Sequence, residues 1–480
     1  MGSGDGHPRP GTRLRPGGRH VAVVSLVLLV VAVLALATLD LTGRLPGGVV
    51  ADAEPTPSPT RRLDPRPVEA PAVLAAEPTA QDAAPPEPPV TALDQLLASG
   101  VLGPDPGAVV LDVASGAVLM DRGGERPRTP ASVTKLVTGA AALLALDPGS
   151  RLETRLVAGD VPGEVVLVGA GDATLTTRPE GADGDYPRRA SLAGLADAAA
   201  AALDAAGTTA VAVRVDDSLF TGPPVAPDWP ASYVGSGEVA PVSALSVDAG
   251  RVRRGDVARE PDPALAAGRE LARLLGRRGV AVQGEVSRSP AAADADVVAS
   301  VSSPTVAELV ELMLEESDDD LAEALLRLVA VADGRPGSFE EGAAAVVDAL
   351  SALGLPTEGV VLRDGSGLAR TNLIPPATLG RLLVLAADGS RPRLSRLVTG
   401  LPVAGFTGTL SLRFGAGGPG AAAGLVRAKT GTLTGVSTLA GVTSLGGRPV
   451  AFVVMADAVP GDTLAARQAL DRFAAVIARS

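Results

Sequence analysis

The sequence TPASVTKLVTGA, at residues 129–140, joins a helical pattern of apolar residues to two residues that can react with each other. Apolar side chains recur every three or four residues, at Val133, Leu136, Val137, Ala140, Leu143 and Leu144, which predicts one helix face against a core. Ser132 and Lys135 are three residues apart, so a helix places the hydroxyl and the amine on the same side. A serine hydroxyl needs a base to take its proton, and a buried amine, whose charged form burial disfavours, is suited to this.

The composition of the chain leaves few other side chains that could act as a nucleophile or a base in place of this pair. The chain has no cysteine, and its two histidines, His7 and His20, lie in an N-terminal tail outside any core. A Ser-His-Asp triad therefore cannot be built. Lys135 and Lys429 are the only lysines, and arginine, which keeps its proton in proteins, occupies every other basic position. The alternative interpretation of Ser-x-x-Lys is a solvated helix lysine.

The N-terminal part of the chain has the pattern of a membrane anchor and a spacer. Residues 1–20 carry four arginines and predict a disordered cytoplasmic tail, and residues 21–40 are almost wholly apolar and long enough to span a bilayer. Arginines before the apolar run place the later residues outside the cytoplasm. The alternative is a signal peptide cleaved after residue 37, which would release a secreted protein. Residues 41–92 are Pro-rich and predict an extended linker.

The folded part has the pattern of an α+β, multi-domain protein. Residues 93–150 and 301–480 alternate strands with long helices, and the chain closes with a predicted helix from Asp462 to about Arg479. The predicted inward face of that helix consists of Leu464, Leu470, Phe473, Ala474 and Ile477. Residues 151–300 have short strands that alternate with two helices, which predicts an inserted α/β domain.

The second lysine belongs to the run Lys429-Thr430-Gly431-Thr432, just before a predicted strand. A cation, a hydroxyl and a glycine at a strand edge suit a bound carboxylate, because glycine leaves the backbone open to close approach. Lys-Thr-Gly alone is common in turns. It gains weight here because this is the other lysine of the chain and follows Ser-x-x-Lys.

With both motifs in place, the chain resembles the serine penicillin-recognising enzymes, whose signature is Ser-x-x-Lys, Ser-x-Asn and Lys-Thr-Gly. More narrowly, it resembles the D-alanyl-D-alanine carboxypeptidases and endopeptidases with an inserted domain, the penicillin-binding protein 4-like peptidase family S13. Further segments that carry this resemblance lie at residues 169–175, 216–220, 240–245, 363–370 and 401–405. The resemblance implies a β-lactamase/transpeptidase-like fold, an antiparallel sheet flanked by helices with a helical subdomain.

The middle motif departs from the family pattern. Ser317-Asp318 matches, but Asp319 stands where the family has asparagine, and the helical residues that follow align without a gap. In the family this asparagine contacts the substrate carbonyl and the lysine of the first motif. An ionised aspartate only accepts hydrogen bonds, and beside Lys135 it favours the ammonium, which is not a base. A weakened enzyme, or an inactive cell-wall-binding homologue, is therefore one alternative.

The resemblance implies acyl transfer on peptidoglycan stem peptides, with Ser132 as the nucleophile and Lys135 as its base. Ser317 would relay a proton to the leaving amine, Lys429 and Thr430 would hold the terminal carboxylate, and the N–H groups of Ser132 and Thr432 would form the oxyanion hole. Penicillins would inhibit by acylating Ser132. No metal or organic cofactor is implied. A β-lactamase on the same fold is the other alternative, and the net charge of −12 argues against a nucleic-acid partner.

Two further segments have competing interpretations. Asp364-Gly365-Ser366-Gly367 could hold a second nucleophile, but no base accompanies it, so a turn packed near the active site is favoured. Trp229 and Tyr233 could line a peptide groove, although aromatic residues between prolines and glycines more often pin a loop to the protein surface.

Overall fold

The computed structural model describes Gly2 and residues 87–181, 186–415, 421–461 and 463–480. The predicted tail and apolar segment, apart from Gly2, and most of the predicted linker lie outside these residues. Within the described part of the chain, no helix has both the length and the apolar character needed to cross a membrane.

The described elements are named here in chain order. The strands are β1 (Gly107–Asp112), β2 (Val118–Arg122), β3 (Arg151–Ala158), β4 (Glu164–Val168), β5 (Ala210–Asp216), β6 (Ala281–Val282), β7 (Ser287–Arg288), β8 (Val297–Thr305), β9 (Arg427–Leu433), β10 (Val436–Leu445) and β11 (Arg448–Ala456). The helices are α1 (Val90–Leu97), α2 (Lys135–Ala145), α3 (Leu192–Ala205), α4 (Ser232–Ser236), α5 (Pro263–Arg277), α6 (Val306–Glu316), α7 (Asp319–Ala332), α8 (Phe339–Ala352), α9 (Pro376–Ala387), α10 (Ser395–Thr399) and α11 (Thr463–Ala478).

The first sheet is antiparallel and is covered by helices on both faces. Its strand order is β2-β1-β11-β10-β9, so the first and last strands of the chain pair at its centre. Along β11, Val450, Phe452 and Val454 pack in one core with α1 and α11. Ala451 and Val453 pack in the opposite core, with α9 and the helices that follow β8. Successive side chains of a strand point to opposite faces of the sheet. The continuous apolar run of β11 is therefore explained by burial of both faces.

A group of helices packs beside this sheet and surrounds α2. Helices α6, α7 and α8 contact α2, and their apolar side chains join the same core as β1 and β11. Helix α6 begins with a capping box, in which Thr305 and Glu308 exchange hydrogen bonds between side chains and backbone N–H groups. Helix α7 is capped at its start by Asp318, whose Oδ1 accepts from the Leu321 N–H at 2.9 Å.

Residues 151–305 build a second, mixed sheet with its own core. The strand order is β6-β5-β4-β3-β8, with β7 also on β5, and β4, β5, β6 and β7 pair in parallel. Helices α3 and α5 supply the apolar side chains that pack with it. Each helix is capped at its start, α3 by the hydroxyl of Ser191 and α5 by the carboxylate of Asp262.

The closing helix differs from its prediction at one position. Leu470, Phe473, Ala474 and Ile477 are buried as predicted, but Leu464 is 61% exposed, so the prediction for Leu464 is wrong. At about 100° per residue, the buried positions define a face from which Leu464 is turned away. Asp462, the predicted first residue, lies outside the described residues.

Candidate functional site

The first motif lies on a short 3-10 turn that runs directly into α2. The turn covers Ala131–Thr134, and Ala131 has a φ of 49°, in the left-handed region. Ser132 is half-buried, whereas Lys135, the first residue of α2, is fully buried. The spacing of three residues brings the Lys135 Nζ to 3.2 Å from the Ser132 Oγ, as the sequence predicts. Lys135 is therefore not the solvated helix lysine of the alternative interpretation.

Among the described residues, the Lys135 amine has three oxygen partners. Its Nζ lies 3.2 Å from the Ser132 Oγ, 2.5 Å from the Asp319 Oδ1 and 2.9 Å from the Ser366 carbonyl oxygen. An ammonium can donate to all three. A neutral amine has two N–H groups, and if these go to Asp319 and Ser366, its lone pair is left for the Ser132 hydroxyl. The same arrangement therefore suits both protonation states of Lys135.

The middle motif occupies the junction between α6 and α7. Ser317 ends α6 with a φ of 59°, a left-handed conformation that costs free energy in a residue other than glycine. Asp318 then caps α7, and Asp319 is its first residue. This junction presents Ser317 to Lys429 and Asp319 to Lys135. Within the acidic run Glu315-Glu316-Ser317-Asp318-Asp319-Asp320, Ser317 and Asp319 thus contact the two lysines.

The third motif lies on the edge strand β9. Lys429 is fully buried and donates to the Ser317 Oγ at 2.8 Å and to the Thr430 carbonyl at 2.9 Å. Burial, together with the nearby Lys135 cation, lowers the pKa of Lys429 well below its usual range. Thr430 and Thr432 are half-buried, and the Thr430 Oγ1 is hydrogen-bonded to the Thr409 Oγ1 at 3.0 Å.

Gly431 lets β9 approach the serine turn closely. A Cβ at this position would lie 2.2 Å from the Thr438 Oγ1 and 2.7 Å from the Pro130 carbonyl oxygen. The Thr438 hydroxyl donates to that same carbonyl at 2.8 Å. Only glycine fits between the strand and the turn, so Gly431 sets how near the Lys-Thr-Gly strand lies to Ser132.

The turn at Asp364–Gly367 is the part of the site whose role the sequence left undefined. Its Ser366 carbonyl accepts from Lys135, and the Ser366 side chain is fully buried. The interpretation as a turn near the active site is confirmed. A Cβ on Gly367, whose φ is 89°, would lie 1.9 Å from the Ala131 carbonyl oxygen. The turn therefore packs directly against the residue before Ser132.

Glu323, to which no sequence motif points, holds this turn in place. Its two carboxylate oxygens accept from the backbone N–H groups of Gly365 and Ser366, both at 2.8 Å. Burial and the charge of Asp364 raise the pKa of Glu323 to about 8. A weaker sequence signal exists, because Glu323 follows Asp319 by four residues and so shares its helix face.

Asp364 lies in the same turn, and its carboxylate binds the side chain of Trp229. The carboxylate accepts from the Trp229 Nε1 at 2.7 Å, the Asn372 Nδ2 at 2.6 Å and the Gly367 and Ala369 backbone N–H groups at 2.9 and 2.6 Å. Burial still raises the pKa of Asp364. The loop-pinning interpretation of Trp229 is confirmed. Tyr233 lies on α4, half-buried against the core.

Asp320 connects the junction between α6 and α7 to residues that lie between the first and middle motifs. Its Oδ1 accepts from the Ala240 N–H at 2.7 Å, and its Oδ2 lies 3.1 Å from the Arg259 Nη1. Burial and the charge of Asp318 raise the pKa of Asp320 to about 7.

No cluster of side chains suited to a metal ion is found among the described residues. The residues brought together are Ser132, Lys135, Asp319, Ser317 and Lys429, from three distant parts of the chain.

Known proteins match this chain over most of its length. The D-Ala-D-Ala carboxypeptidase 3 (S13) family matches residues 90–261 and 253–477. Carboxypeptidase DacB of Mycolicibacterium smegmatis is 39% identical over 467 residues, which are 95% of this chain and 96% of that protein. The D-alanyl-D-alanine carboxypeptidase of an Actinomadura strain is 31% identical over 412 residues, covering 70% and 74% of the two chains.

A solved structure confirms the fold. Penicillin-binding protein 4 of Haemophilus influenzae superposes with a TM-score of 0.66 and 25% identity, over 81% of this chain and 98% of that one. The same protein has been solved in complex with a β-lactam. The architecture is the predicted α+β, β-lactamase/transpeptidase-like fold, with an antiparallel sheet flanked by helices.

Proposed function

The chain belongs to the D-Ala-D-Ala carboxypeptidase 3 (S13) family, and from this premise we propose that it hydrolyses peptidoglycan stem peptides through an acyl-enzyme on Ser132. As in its relatives, the activity is that of a D-Ala-D-Ala carboxypeptidase. The observation that carries the proposed mechanism is the fully buried Lys135, whose Nζ is 3.2 Å from the Ser132 Oγ. This is the distance at which a base can take the serine proton.

Acylation begins when Ser132 attacks the carbonyl between the two D-alanines. Lys135, neutral in the reacting form, takes the hydroxyl proton, while Asp319 and the Ser366 carbonyl accept its other hydrogens. The oxyanion would be held by the backbone N–H groups of Ser132 and Thr432, and the N-terminus of α2 adds positive potential.

The leaving D-alanine would be handled by the Ser317–Lys429 pair. Because Lys429 donates to the Ser317 Oγ at 2.8 Å, the serine can pass its own proton to the leaving nitrogen and recover one from Lys429. Lys429 and Thr430 would also hold the terminal carboxylate. In the part of the chain that the structure describes, no carboxylate is hydrogen-bonded to Lys429, so the substrate carboxylate would supply the anion that this buried cation lacks.

The acyl-enzyme is tested with the full-length chain and a peptide ending in D-Ala-D-Ala. Ser132→Ala should lower D-alanine release by at least about 10³-fold, as loss of a catalytic serine does. Intact-mass spectrometry of rapidly quenched samples should show a penicillin adduct on the wild type, and none on Ser132→Ala. Ser444→Ala, at an exposed position on β10, is the matched control and should keep both properties. An adduct that survives in Ser132→Ala would contradict the proposal.

The proposed location is the outer side of the cell membrane, with residues 21–40 as the anchor, or a secreted protein if residues 21–37 are cleaved. The support is the apolar run at residues 21–39, preceded by arginines. Cell fractionation and N-terminal sequencing of the mature protein test it. Recovery of the intact chain in the soluble cytoplasmic fraction would contradict both forms of the proposal.

A further inference from the structure

The side chain of Asp319 offers the site a proton acceptor that an asparagine there could not provide. Its Oδ1 is held on the Lys135 Nζ at 2.5 Å, and its Oδ2 has no hydrogen-bond partner in the described part of the chain. The side chain is 18% exposed, although Lys135 beside it is fully buried. One carboxylate oxygen is therefore fixed by the lysine, while the other remains available to water in the cleft.

The proton balance of the proposed reaction leaves Lys135 charged in the acyl-enzyme. Lys135 takes the Ser132 proton, and the leaving nitrogen receives its proton through Ser317 and Lys429. The ammonium then has three N–H groups and three acceptors: the Ser132 oxygen, now in the ester, Asp319, and the Ser366 carbonyl. A charged ammonium cannot accept a proton from the water that must cleave the ester.

We propose that the Asp319 carboxylate is the base that activates this water, so that acyl groups on Ser132, penicilloyl groups included, are released by hydrolysis rather than retained. The inference rests on the acyl-enzyme proposed above. Water gives one proton to Asp319, and its oxygen bonds to the acyl carbon. As the tetrahedral intermediate collapses, the bond to the Ser132 Oγ breaks and that oxygen takes a proton from Lys135. The product leaves as the acid, and the Asp319 proton returns to Lys429 or to solvent.

The position of Asp319 also fits the geometry that this step requires. Asp319 and Ser132 are neighbours of the same Lys135 nitrogen, at 2.5 and 3.2 Å, so the carboxylate lies one group away from the atom that carries the ester. Asp318 and Asp320, its neighbours in sequence, are engaged elsewhere, with the Leu321 N–H and with Arg259. Asp319 is thus the carboxylate of the acidic run that contacts the reacting groups.

The experiment follows the lifetime of the adduct that a fluorescent penicillin forms with the full-length chain, sampled from milliseconds to hours by rapid quench. In Asp319→Asn the label should be lost about a hundredfold more slowly than in the wild type, within the range of general-base catalysis. Mass spectrometry should show correspondingly less hydrolysed penicillin. Glu316→Gln removes an exposed charge from the same acidic run and should behave as the wild type does.

The possible results separate the two proposals. Equal rates of label loss in the wild type and Asp319→Asn overturn the role of Asp319 and leave the acyl-enzyme intact. The absence of both label and hydrolysed penicillin from both proteins overturns the acyl-enzyme. A third result is a label on Asp319→Asn but neither label nor hydrolysed penicillin with the wild type. Asp319 would then block acylation, so both the acyl-enzyme and the role of Asp319 as a base would be overturned for the native chain.

Discussion

The chain has two lysines and forty arginines. The two lysines have different surroundings, and these determine how the charge of each is balanced. Lys135 has a carboxylate partner at 2.5 Å, whereas the side-chain partner of Lys429 is the neutral hydroxyl of Ser317. The charge of Lys135 is therefore balanced inside the protein. Among the described residues no carboxylate is hydrogen-bonded to Lys429, although the charge of Asp319 acts on it, so a bound anion such as the proposed substrate carboxylate would complete the balance of its charge.

This difference predicts a pH dependence of substrate binding. The pKa of Lys429 lies below the usual range for lysine. The free enzyme therefore loses the Lys429 proton as the pH rises through this lowered pKa. Above it, binding a carboxylate requires uptake of a proton, so KM should rise by up to about tenfold per pH unit. Steady-state kinetics between pH 5 and 10 check this, with a peptide amide that lacks the carboxylate as control. A KM that is constant over this range would contradict it.

At the scale of elements, each acidic residue of α7 contacts a different partner. Asp319 and Glu323 are four residues apart and share a face, where one contacts Lys135 and the other the turn that also contacts Lys135. Asp320 is rotated away from them and contacts Arg259. One helix thus positions the lysine from two directions, directly and through the Ser366 carbonyl.

Replacing Glu323 tests this arrangement. Glu323→Gln keeps one acceptor oxygen, but its NH₂ group then faces a backbone N–H of the turn, which is left unpaired. The free energy of unfolding should fall by about 1–3 kcal/mol, the cost of an unpaired buried group. The kcat should fall more than KM changes, because the Ser366 carbonyl shifts from Lys135. Denaturant unfolding and steady-state kinetics measure both, with the exposed Glu340→Gln as control.

At the scale of the molecule, the residues inserted between the first two motifs are tied to the site through a buried ion pair. Arg259 and Asp320 lie 3.1 Å apart with side chains 2% and 13% exposed, and Arg259 also donates to the Gly237 carbonyl. The inserted-domain boundaries remain a prediction. The contact nevertheless joins residues of the predicted insertion to the helix that carries Asp319.

Breaking this pair should destabilise the protein strongly. Arg259→Met leaves the Asp320 carboxylate buried without its cation, which typically costs about 3–5 kcal/mol of unfolding free energy. Thermal and denaturant unfolding measure the loss. Arg269→Met, at a half-exposed arginine 4.0 Å from Glu260, should change stability by less than about 1 kcal/mol. A similar effect of the two substitutions would contradict the importance of the Arg259–Asp320 pair.

The sequence by itself predicted the contact between Ser132 and Lys135 and the class of the fold. Helical spacing placed Ser132 beside Lys135, and the scarcity of lysine and the absence of cysteine left few other candidates. These are local patterns, which periodicity and composition report directly. The same patterns located the closing helix α11, and the resemblance to the family singled out Asp319.

Only the tertiary structure showed that the Asp364–Gly367 turn also contacts Lys135. The Ser366 carbonyl and Glu323 come together because a turn packs on α7 and on the serine turn, although Ser366 is 231 residues from Lys135 and Gly365 is 42 residues from Glu323 along the chain. No periodicity encodes a contact between a backbone carbonyl and a distant amine. Such contacts follow from packing and from the need to pair every buried polar group, and these act only once the chain is folded.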